Sequence, residues 1–311
     1  MAQIYNVDNS FDYSLFENAS CAFGVFDGVH RGHRYLLECA METARQDGGP
    51  SIALTFDIDP DELFHADRLK KLMSNEQRIE MLSRSGVDAV VVLHFTPEFA
   101  ALSPLEFLNK TFKGYVPAHL HVGLDFHFGA RAAGSVADLG EWAATNICHI
   151  DAHNLQSEEG LPITATRIRN YLAEHDLEEA ERLLGRPFSI TDEVQPGRGE
   201  GMDMGFSTAN LIVPANRQTL SEGVYGGYAY VNGIKYRAAI AVGVSPVFED
   251  KTKATMEVHI LDFNQDIYGD EITAEFIDYI RPMIKFDSVD ELIKTILANI
   301  EHVRTTLPLE R

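Results

Sequence analysis

The sequence has few cysteines, no long apolar run and no basic leader. Its three cysteines, Cys21, Cys39 and Cys148, are odd in number and scattered, which argues against a disulfide framework or a paired-cysteine metal site. Its apolar runs, such as residues 88–95, have the length of strands and are too short to span a bilayer. Residues 1–16 lack the basic-then-apolar order of a signal peptide. We therefore expect a cytoplasmic protein.

Positive charge is also scarce. The chain has 26 lysines and arginines against 47 acidic residues, a formal net charge of −21. Such a field repels nucleic acids and anionic membranes, so neither is expected as a partner. A phosphate-bearing ligand would need backbone N–H groups, arginine or histidine, or a bound Mg²⁺ to offset that field. The other proportions, 45% hydrophobic and 23% charged in 311 residues, are those of a globular protein large enough for two domains.

The first half of the chain alternates apolar runs with helical patterns. This alternation predicts an α/β fold, in which crossover helices connect the strands of a parallel sheet. Two of the helices begin with capping boxes, formed by Ser74 with Gln77 and by Ser103 with Glu106. The predicted strands are residues 21–26, 51–56, 88–95, 118–126 and 146–153, and the predicted helices are residues 34–46, 76–85 and 104–110.

The character of the sequence changes after a polar helix predicted over residues 167–184. Gly185 and Pro187 end this helix, and we place the domain boundary there, which gives domains of residues 1–185 and 186–311. Short alternating segments and an Asn-Gly turn at 232–233 then predict a compact antiparallel barrel or sandwich. An amphipathic helix capped by Ser288 follows it. The predicted strands of this half are residues 225–231, 234–242, 255–263 and 271–280.

Two histidines stand at the first predicted strand-to-helix turn, in GVFDGVHRGHRYLL at residues 24–37. If residues 22–26 form the strand, His30 and His33 lie at the carboxyl end of the sheet, where open α/β folds bind ligands. The glycines between them let the backbone approach a ligand, and the helix start favours anions. Imidazoles there can stabilise the charge that develops as pyrophosphate leaves phosphorus. The alternative is two helix-start residues with water or carbonyl partners.

A second group of polar residues opens the helix predicted over residues 167–184. Arg167 and Arg169 lie next to Thr164 and Thr166. In an acidic chain, two arginines beside two hydroxyls at a helix start favour a phosphate clamp over ordinary surface charge.

Four further residues each allow two interpretations. Asp125 follows a predicted strand end and is either a turn residue or a contact to a ligand or Mg²⁺. Thr208 and Asn210 are oxygen donors on one face of an extended segment, which suits Mg²⁺ but also a local turn. Glu257 lies in a strand-like run and is either a surface residue or a base in a pocket.

The histidine stretch resembles the HxGH signature of the nucleotidyltransferases. Read in full, it resembles the first motif of the bacterial bifunctional riboflavin kinase/FAD synthetase family. Five further segments resemble motifs of this family in the family's order, and six ordered matches are specific to it. The five segments are HVGLDFHFGARAAG at 121–134, ITATRIRNYL at 163–172, GFSTAN at 205–210, MEVHILDFNQDIYG at 256–269 and IRPMIKFDSVDELI at 280–293.

The resemblance implies a Rossmann-like nucleotidyltransferase domain over residues 1–185 and an antiparallel β-barrel kinase domain with a C-terminal helix over residues 186–311. It implies phosphorylation of riboflavin to FMN and adenylylation of FMN to FAD, with riboflavin, FMN and ATP as ligands and Mg²⁺ beside ATP. Thr208 and Asn210 would hold the Mg²⁺, and Glu257 would take the proton from the riboflavin 5′-hydroxyl.

The same resemblance assigns the other site residues. The implied catalytic residues are His30, His33, Arg169 and Glu257. The implied flavin-binding residues of the kinase domain are Arg281 and Phe286. The implied nucleotide- and phosphate-binding residues are Gly24, Phe26, Asp27, Gly28, Gly32, Asp125, Thr164, Thr166, Arg167, Gly199, Gly201 and Gly205.

The chain departs from the family pattern in both domains. Asp-Ile-Asp-Pro at 57–60 replaces the usual Pro-His-Pro, while His127 and Ala165 replace an arginine and a serine. We expect adenylyl transfer to be retained and the kinase to be active but weaker or altered in nucleotide use. The departures in the second domain are Met202, Ser207, Ala241 and Val247, in place of arginine, proline, asparagine and threonine.

Two other functions fit the same sequence. The first is an adenylyltransferase whose barrel is degenerate and only binds flavin. The second is a non-enzymatic flavin sensor that keeps the fold. The oligomeric state is not predicted.

Overall fold

A computed structural model describes residues 1–65, 70–196, 208–244 and 254–309 of the chain. The chain divides into two compact units, Met1–Ala165 and Thr166–Arg311. None of the described helices combines the length and the apolar character needed to cross a membrane.

The first unit is built on one parallel sheet of six strands. The strands are β1 (Gln3–Asn6), β2 (Ser20–Phe23), β3 (Ser51–Phe56), β4 (Ala89–Leu93), β5 (His119–Gly123) and β6 (His149–His153). Their order across the sheet is β1-β4-β3-β2-β5-β6, and every pair is parallel. A two-stranded ladder, β7 (Ser157–Glu158) with β8 (Leu161–Pro162), follows the sheet.

Helices connect these strands. They are α1 (Arg31–Asp47), α2 (Pro60–His65), α3 (Asn75–Ser83), α4 (Pro97–Ala100), α5 (Pro104–Phe112) and α6 (Val136–Asn146). Alternate residues of each strand face opposite sides of the sheet, so two apolar cores form. Cys21 and Phe23 lie in the core that α5 and α6 cover, whereas Ala22 lies in the core that α1 covers. The α/β architecture predicted from the alternation is confirmed.

The predicted starts of α3 and α5 are correct to within one residue, whereas α1 starts at Arg31 rather than at residue 34 and the first strand is shorter than predicted. Both capping boxes, Ser74 with Gln77 and Ser103 with Glu106, are present. Strand β2 ends at Phe23 because Phe26 takes a left-handed backbone conformation, with φ of 62°, and turns the chain out of the sheet. Strand β1 was not predicted, since its four residues are mostly exposed.

The single helix predicted over residues 167–184 is wrong, because two helices occupy this stretch. They are α7 (Ala165–Ala173) and α8 (Leu177–Leu184). His175 between them takes a left-handed conformation, and the Asp176 side chain accepts a hydrogen bond from the Glu179 N–H to start α8. The apolar stripe runs through both helices, so it did not reveal the break.

The second unit contains a six-stranded antiparallel barrel. The strands are β9 (Phe188–Glu193), β10 (Ala209–Val213), β11 (Gly223–Val231), β12 (Ile234–Val244), β13 (Ala254–Ile260) and β14 (Glu271–Arg281). Their order is β10-β13-β12-β11-β14-β9. A bridge in which the Gln195 N–H donates to the Asn210 carbonyl at 2.8 Å brings the two edge strands together. The barrel alternative is therefore correct and the sandwich is not.

The predicted hairpin and final helix of the second unit are also present. Asn232 and Gly233 both have positive φ, 50° and 77°, as a tight hairpin turn requires. Strand β13 ends at Ile260 rather than at residue 263, and Asp262 beyond it has a φ of 60°. Helix α9 (Val289–Thr306) starts at Ser288, whose side chain accepts a hydrogen bond from the Glu291 N–H.

Candidate functional site

The turn after β2 forms the start of the candidate site in the first unit. Phe26, Gly28 and Val29 all have positive φ, at 62°, 74° and 38°. A left-handed conformation at two non-glycine residues is strained, and such strain concentrates at functional sites. A methyl group on Gly28 would lie 2.6 Å from Leu72, so only glycine fits there.

His30 and His33 stack on each other at the start of α1. Their ring centroids are 3.6 Å apart and the rings are nearly parallel, at 17°. The Nδ1 atom of His30 accepts a hydrogen bond from the His33 N–H at 3.3 Å, so His30 is also the N-cap of the helix. The alternative interpretation of His30 as a helix-start residue is thus correct for its Nδ1 atom.

The ring of His33 is enclosed at one nitrogen. Its Nδ1 is buried and makes no hydrogen bond within the described part of the chain, although the residue as a whole is partly exposed. Burial, with smaller contributions from the charges of His30 and Arg78, holds the pKa of His33 well below its ordinary value. The ring is therefore neutral at physiological pH, with one N–H available as a hydrogen-bond donor.

Glycine and aspartate residues hold this turn in place. The buried Asp27 carboxylate accepts the Leu72 N–H at 3.0 Å, which fixes the turn against the segment before α3. A side chain at Gly32 would lie 3.2 Å from the His30 ring, and one at Gly24 would lie 3.3 Å from the Phe26 ring. These residues therefore shape the turn.

Arg78 lies beneath the turn and was not predicted. Its side chain is buried and its guanidinium donates to the Val25 carbonyl at 2.8 Å, the Thr55 hydroxyl at 2.6 Å and the Phe56 carbonyl at 2.8 Å. It thus joins the chain beyond β2 to the end of β3. Nothing in the sequence around a single arginine in a polar helix distinguished it from a surface residue.

The aspartates that depart from the family pattern lie at the end of β3. The Asp57 carboxylate contacts the His94 ring and accepts the Phe95 N–H at 2.9 Å, so it joins the ends of β3 and β4. Asp59 is buried and accepts the Asp61 N–H. Burial, together with the neighbouring charges of Asp27 and Asp61, raises the pKa of Asp59 to about 6.

The structure brings two further predicted residues to this end of the sheet. Asp125 lies two residues beyond the end of β5 and is exposed, and the His127 ring contacts its carbonyl oxygen at 2.8 Å. Thr164 follows Ile163, whose carbonyl oxygen would be 3.5 Å from a side chain at Gly32. Asp125 and Thr164 therefore belong to the same unit as the histidines.

The remaining residues of the predicted clamp begin the second unit. Thr166, Arg167 and Arg169 lie in the first turns of α7, which starts at Ala165. The Arg167 guanidinium donates to the Tyr171 hydroxyl at 3.1 Å and packs over the Tyr171 ring. Arg169 is half-buried.

Two strands of the barrel bring the predicted kinase residues together. Asn210 on β10 pairs directly with Glu257 on β13, and directly opposed residues of an antiparallel pair share one face. The Asn210 amide NH₂ donates to the Thr208 carbonyl at 3.3 Å. Glu257 is exposed on this outer face, whereas Met256 and Val258 on either side of it are buried in the core.

Ala241, which stands where the family usually has asparagine, lies in the same cross-strand row as Asn210 and Glu257. Ala241 on β12 pairs directly with Glu257 from the side opposite Asn210. At the end of β14, the Arg281 guanidinium donates to the Asn299 side-chain oxygen at 3.3 Å and lies 5.8 Å from the Phe286 ring centroid. The two predicted flavin contacts therefore lie together. The predictions for Gly199, Gly201, Met202, Gly205, Ser207 and Val247 lie outside the described residues.

Known proteins resemble the chain along nearly its whole length. The profile of a family described as FAD synthetase matches residues 13–167, and that of a family described as riboflavin kinase matches residues 184–307. A curated protein of Listeria monocytogenes, named bifunctional riboflavin kinase/FMN adenylyltransferase, is 33% identical over 280 residues, which are 89% of this chain and 88% of that protein. The protein of the same name from Escherichia coli K12 is 35% identical over 280 residues, again 89% and 88% of the two chains.

One solved structure resembles the whole chain. It is a crystal structure described as a macrolide-efflux protein from Streptococcus pneumoniae, with a TM-score of 0.84 and 31% identity. The match covers 98% of this chain and 99% of that one.

Proposed function

The chain belongs to the bifunctional riboflavin kinase/FMN adenylyltransferase family, and from this premise we propose how its residues divide the two reactions. The protein phosphorylates riboflavin to FMN and adenylylates FMN to FAD, using ATP in both steps and releasing pyrophosphate in the second. We assign adenylyl transfer to residues 1–185 and riboflavin phosphorylation to residues 186–311. Both reactions are assigned to the cytoplasm, where ATP is available.

Adenylyl transfer takes place at the histidine turn. An oxygen of the FMN phosphate attacks the α-phosphorus of ATP, and the bond from that phosphorus to the pyrophosphate oxygen breaks in line. His30, His33 and the N-terminus of α1 stabilise the negative charge that grows on the transferring and leaving oxygens. The stacked rings and the neutral state of His33 support this role, because a neutral imidazole is a preformed hydrogen-bond donor.

The triphosphate is held by the hydroxyls and arginines around the start of α7. Thr164, Thr166, Arg167 and Arg169 supply hydroxyl donors and two guanidinium groups at a helix start, which favours anions. Asp125 contacts the ligand from the end of β5. Arg169 balances charge on the reacting phosphates, and Arg167 is braced for its phosphate contact by Tyr171.

Riboflavin phosphorylation takes place on the outer face of the barrel formed by β10, β13 and β12. Glu257 accepts the proton of the riboflavin 5′-hydroxyl as that oxygen bonds to the γ-phosphorus of ATP, and the bond from that phosphorus to the departing ADP oxygen breaks. Its direct pairing with Asn210 supports this role, since a base and a phosphate-site residue must lie side by side. Arg281 and Phe286 contact the flavin.

The donor set on this face fits Mg²⁺. Asn210 donates its amide NH₂ to the Thr208 carbonyl, which leaves the amide oxygen of Asn210 and the hydroxyl of Thr208 as hard oxygen ligands. Mg²⁺ bound there would offset part of the negative charge of the ATP phosphates. Thr208 and Asn210 would hold it and orient the nucleotide toward Glu257.

The observation that carries the assignment is the placement of the stacked histidines in one unit and of the Asn210–Glu257 pair in the other. Chromatography of the flavins formed from riboflavin, ATP and Mg²⁺ tests it. The wild-type protein should give FMN and FAD. His33→Ala should give FMN alone, and Glu257→Gln should give neither product from riboflavin but FAD from added FMN.

Two controls make this test specific. His149→Ala, which alters an exposed histidine on β6, should keep both products. Circular dichroism of each variant should match that of the wild-type protein. If His33→Ala forms FAD at the wild-type rate, the histidine turn is not the adenylyl-transfer site; if Glu257→Gln forms FMN normally, Glu257 is not the base.

A further inference from the structure

A cluster of histidines and aspartates lies at the edge of the first sheet, away from the histidine turn along the strands. His119 and His121 lie two apart on β5 and therefore on one face of it, and Asp151 on β6 pairs directly with His121. His119 is the first residue of β5, whereas the adenylyl-transfer site lies beyond the carboxyl ends of the strands. The cluster has no role in either proposed reaction.

Three side-chain atoms of this cluster converge on one point. His119 Nδ1 is 2.9 Å and His121 Nε2 is 3.7 Å from the same oxygen of Asp151, and all three atoms lie within 4.8 Å of one another. Ligand atoms about 2.0–2.1 Å from a tetrahedral metal ion are separated by about 3.3 Å. The three atoms therefore need only small shifts to surround one ion.

Each ring also has a partner on its other nitrogen, and the partner of His119 is of the kind that metal-ligating histidines use. The other ring nitrogen of His119, Nε2, is 2.9 Å from the Asp47 carboxylate, and a carboxylate in this position orients a ligating histidine. The other nitrogen of His121, Nδ1, is 2.9 Å from His153 Nε2. Asp47 and His153 thus hold the two rings from behind. His121 Nε2 also lies 3.0 Å from the buried Ser20 hydroxyl, a contact that the ion would replace.

The burial of the cluster leaves one side open. The His121 side chain is 3% exposed and that of His119 19%, whereas that of Asp151 is 38% exposed. Two imidazoles and one carboxylate with an open fourth position form a common site for zinc and similar divalent transition ions. Mg²⁺ and Ca²⁺ prefer sites made of oxygen ligands alone.

We propose that His119, His121 and Asp151 bind one divalent transition-metal ion of the zinc class, with water as the fourth ligand. The ion connects β5 to β6. Asp47, the last residue of α1, contacts His119 and so links α1 to the same site. Its role in the fold is to clamp the outer edge of the sheet. Binding requires neither flavin nor nucleotide, so it stands or fails independently of the proposed reactions.

Equilibrium dialysis of the metal-stripped full chain against Zn²⁺, with excess Mg²⁺ to occupy acidic surface groups, tests the proposal. The wild-type chain should bind one equivalent more than Asp151→Asn or His121→Gln. His149→Gln is the matched control, since its ring stacks 4.9 Å from that of His119 outside the ligand set, and it should bind like the wild type. Co²⁺ in place of Zn²⁺ should give a visible absorption band of tetrahedral type that both ligand variants lack.

A thermal measurement keeps the test valid if His121→Gln does not fold. Zn²⁺ at about 100 times its dissociation constant should raise the unfolding midpoint of the wild-type chain by several degrees, but not that of the isosteric Asp151→Asn. Equal Zn²⁺ stoichiometry in wild type and Asp151→Asn, or an equal thermal shift in both, would overturn the proposal.

Discussion

Single buried residues contribute to the electrostatics around the proposed adenylyl-transfer site. The chain carries a net charge of −21, yet the buried Arg78 and the start of α1 provide positive potential beside the histidines. Arg78 connects the ends of two strands and also contributes to the low pKa of His33. One arginine therefore serves both the fold and the charge of the site.

Replacing Arg78 should destabilise the first unit strongly. Arg78→Met leaves the carbonyls of Val25 and Phe56 buried without their donor, which should cost about 3 kcal/mol or more of unfolding free energy. Arg84→Met on the segment after α3 is the control, because the exposed Arg84–Glu80 pair should contribute less than about 0.5 kcal/mol. Urea denaturation of both variants measures the difference. Equal midpoints for the two variants would show that the Arg78 network contributes little.

Asp59 should make stability depend on pH in the opposite sense to an ordinary carboxylate. Its folded-state pKa of about 6 lies above the unfolded value of 3.8, so its ionisation lowers stability as pH rises through this window. Asp59→Asn keeps an acceptor for the Asp61 N–H and should stabilise the protein above pH 6, by up to about 3 kcal/mol, with little effect below pH 4.

Thermal unfolding of Asp59→Asn between pH 4 and pH 8 measures this effect. Asp61→Asn, which removes only one of the smaller contributions to the raised pKa of Asp59, should show a much smaller gain. A gain for Asp59→Asn that is the same at pH 4 and at pH 8 would mean that ionisation of Asp59 is not its cause.

Local sequence patterns pointed to the residues proposed to contact ligands, but not to the buried residues that support them. His30 and His33 were found because glycines and a strand end surround them. Arg78, Asp59 and the His119–Asp151 cluster were missed, because their partners come from other strands and no local spacing records such contacts.

At the scale of elements, the turn after β2 is the most constrained connection. Gly28 and Gly48 offer a matched comparison, since their φ values are 74° and 75°. A side chain at Gly28 meets Leu72 at 2.6 Å, whereas one at Gly48 meets nothing within 4 Å. The difference between the two sites is therefore packing and not backbone strain.

Gly28→Ala should weaken ATP binding and stability more than Gly48→Ala. The left-handed conformation costs both variants about 1 kcal/mol, and the clash with Leu72 should add about 1–3 kcal/mol at Gly28 alone. Denaturation midpoints and titration of ATP binding measure the two effects. Identical stability and ATP affinity in the two variants would show that the turn accommodates a side chain.

The pairing of Ala241 with Glu257 predicts that one substitution increases the kinase activity. Asparagine at position 241 would place an amide directly opposite the Glu257 carboxylate, as the family pattern has it. Ala241→Asn should raise the turnover of riboflavin phosphorylation a few-fold and leave FAD formation from FMN unchanged. Gly243→Asn, on the same face of β12 and opposite Thr255, should change neither rate.

Steady-state assays of the two reactions measure these variants. An unchanged kinase rate in Ala241→Asn would mean that the alanine is not what limits the kinase.

Elements with complete local signals were predicted well, and those without them were not. Capping boxes located α3 and α5 because both partners lie within one helical turn. The break between α7 and α8 depends on one left-handed histidine, His175, and the apolar stripe continues across it. Barrel closure at Gln195 and Asn210 is a pairing between distant segments, which alternation along the chain does not reveal.

At the scale of the whole molecule, one chain carries two separate proposed active sites. The stacked histidines lie in the first unit and the Asn210–Glu257 pair in the second. FMN links the two reactions, because it is the product of one and the substrate of the other. A molecule that is defective in one site should therefore be complemented by a second molecule that is defective in the other site.

The most direct test mixes two inactive variants. His33→Ala and Glu257→Gln are incubated separately and then together with riboflavin, ATP and Mg²⁺, and the FAD formed is followed over time. Neither variant alone should form FAD, and the mixture should form FAD steadily after a lag in which FMN accumulates. A mixture that remains unable to form FAD, although His33→Ala forms FMN and Glu257→Gln converts added FMN, would contradict this prediction.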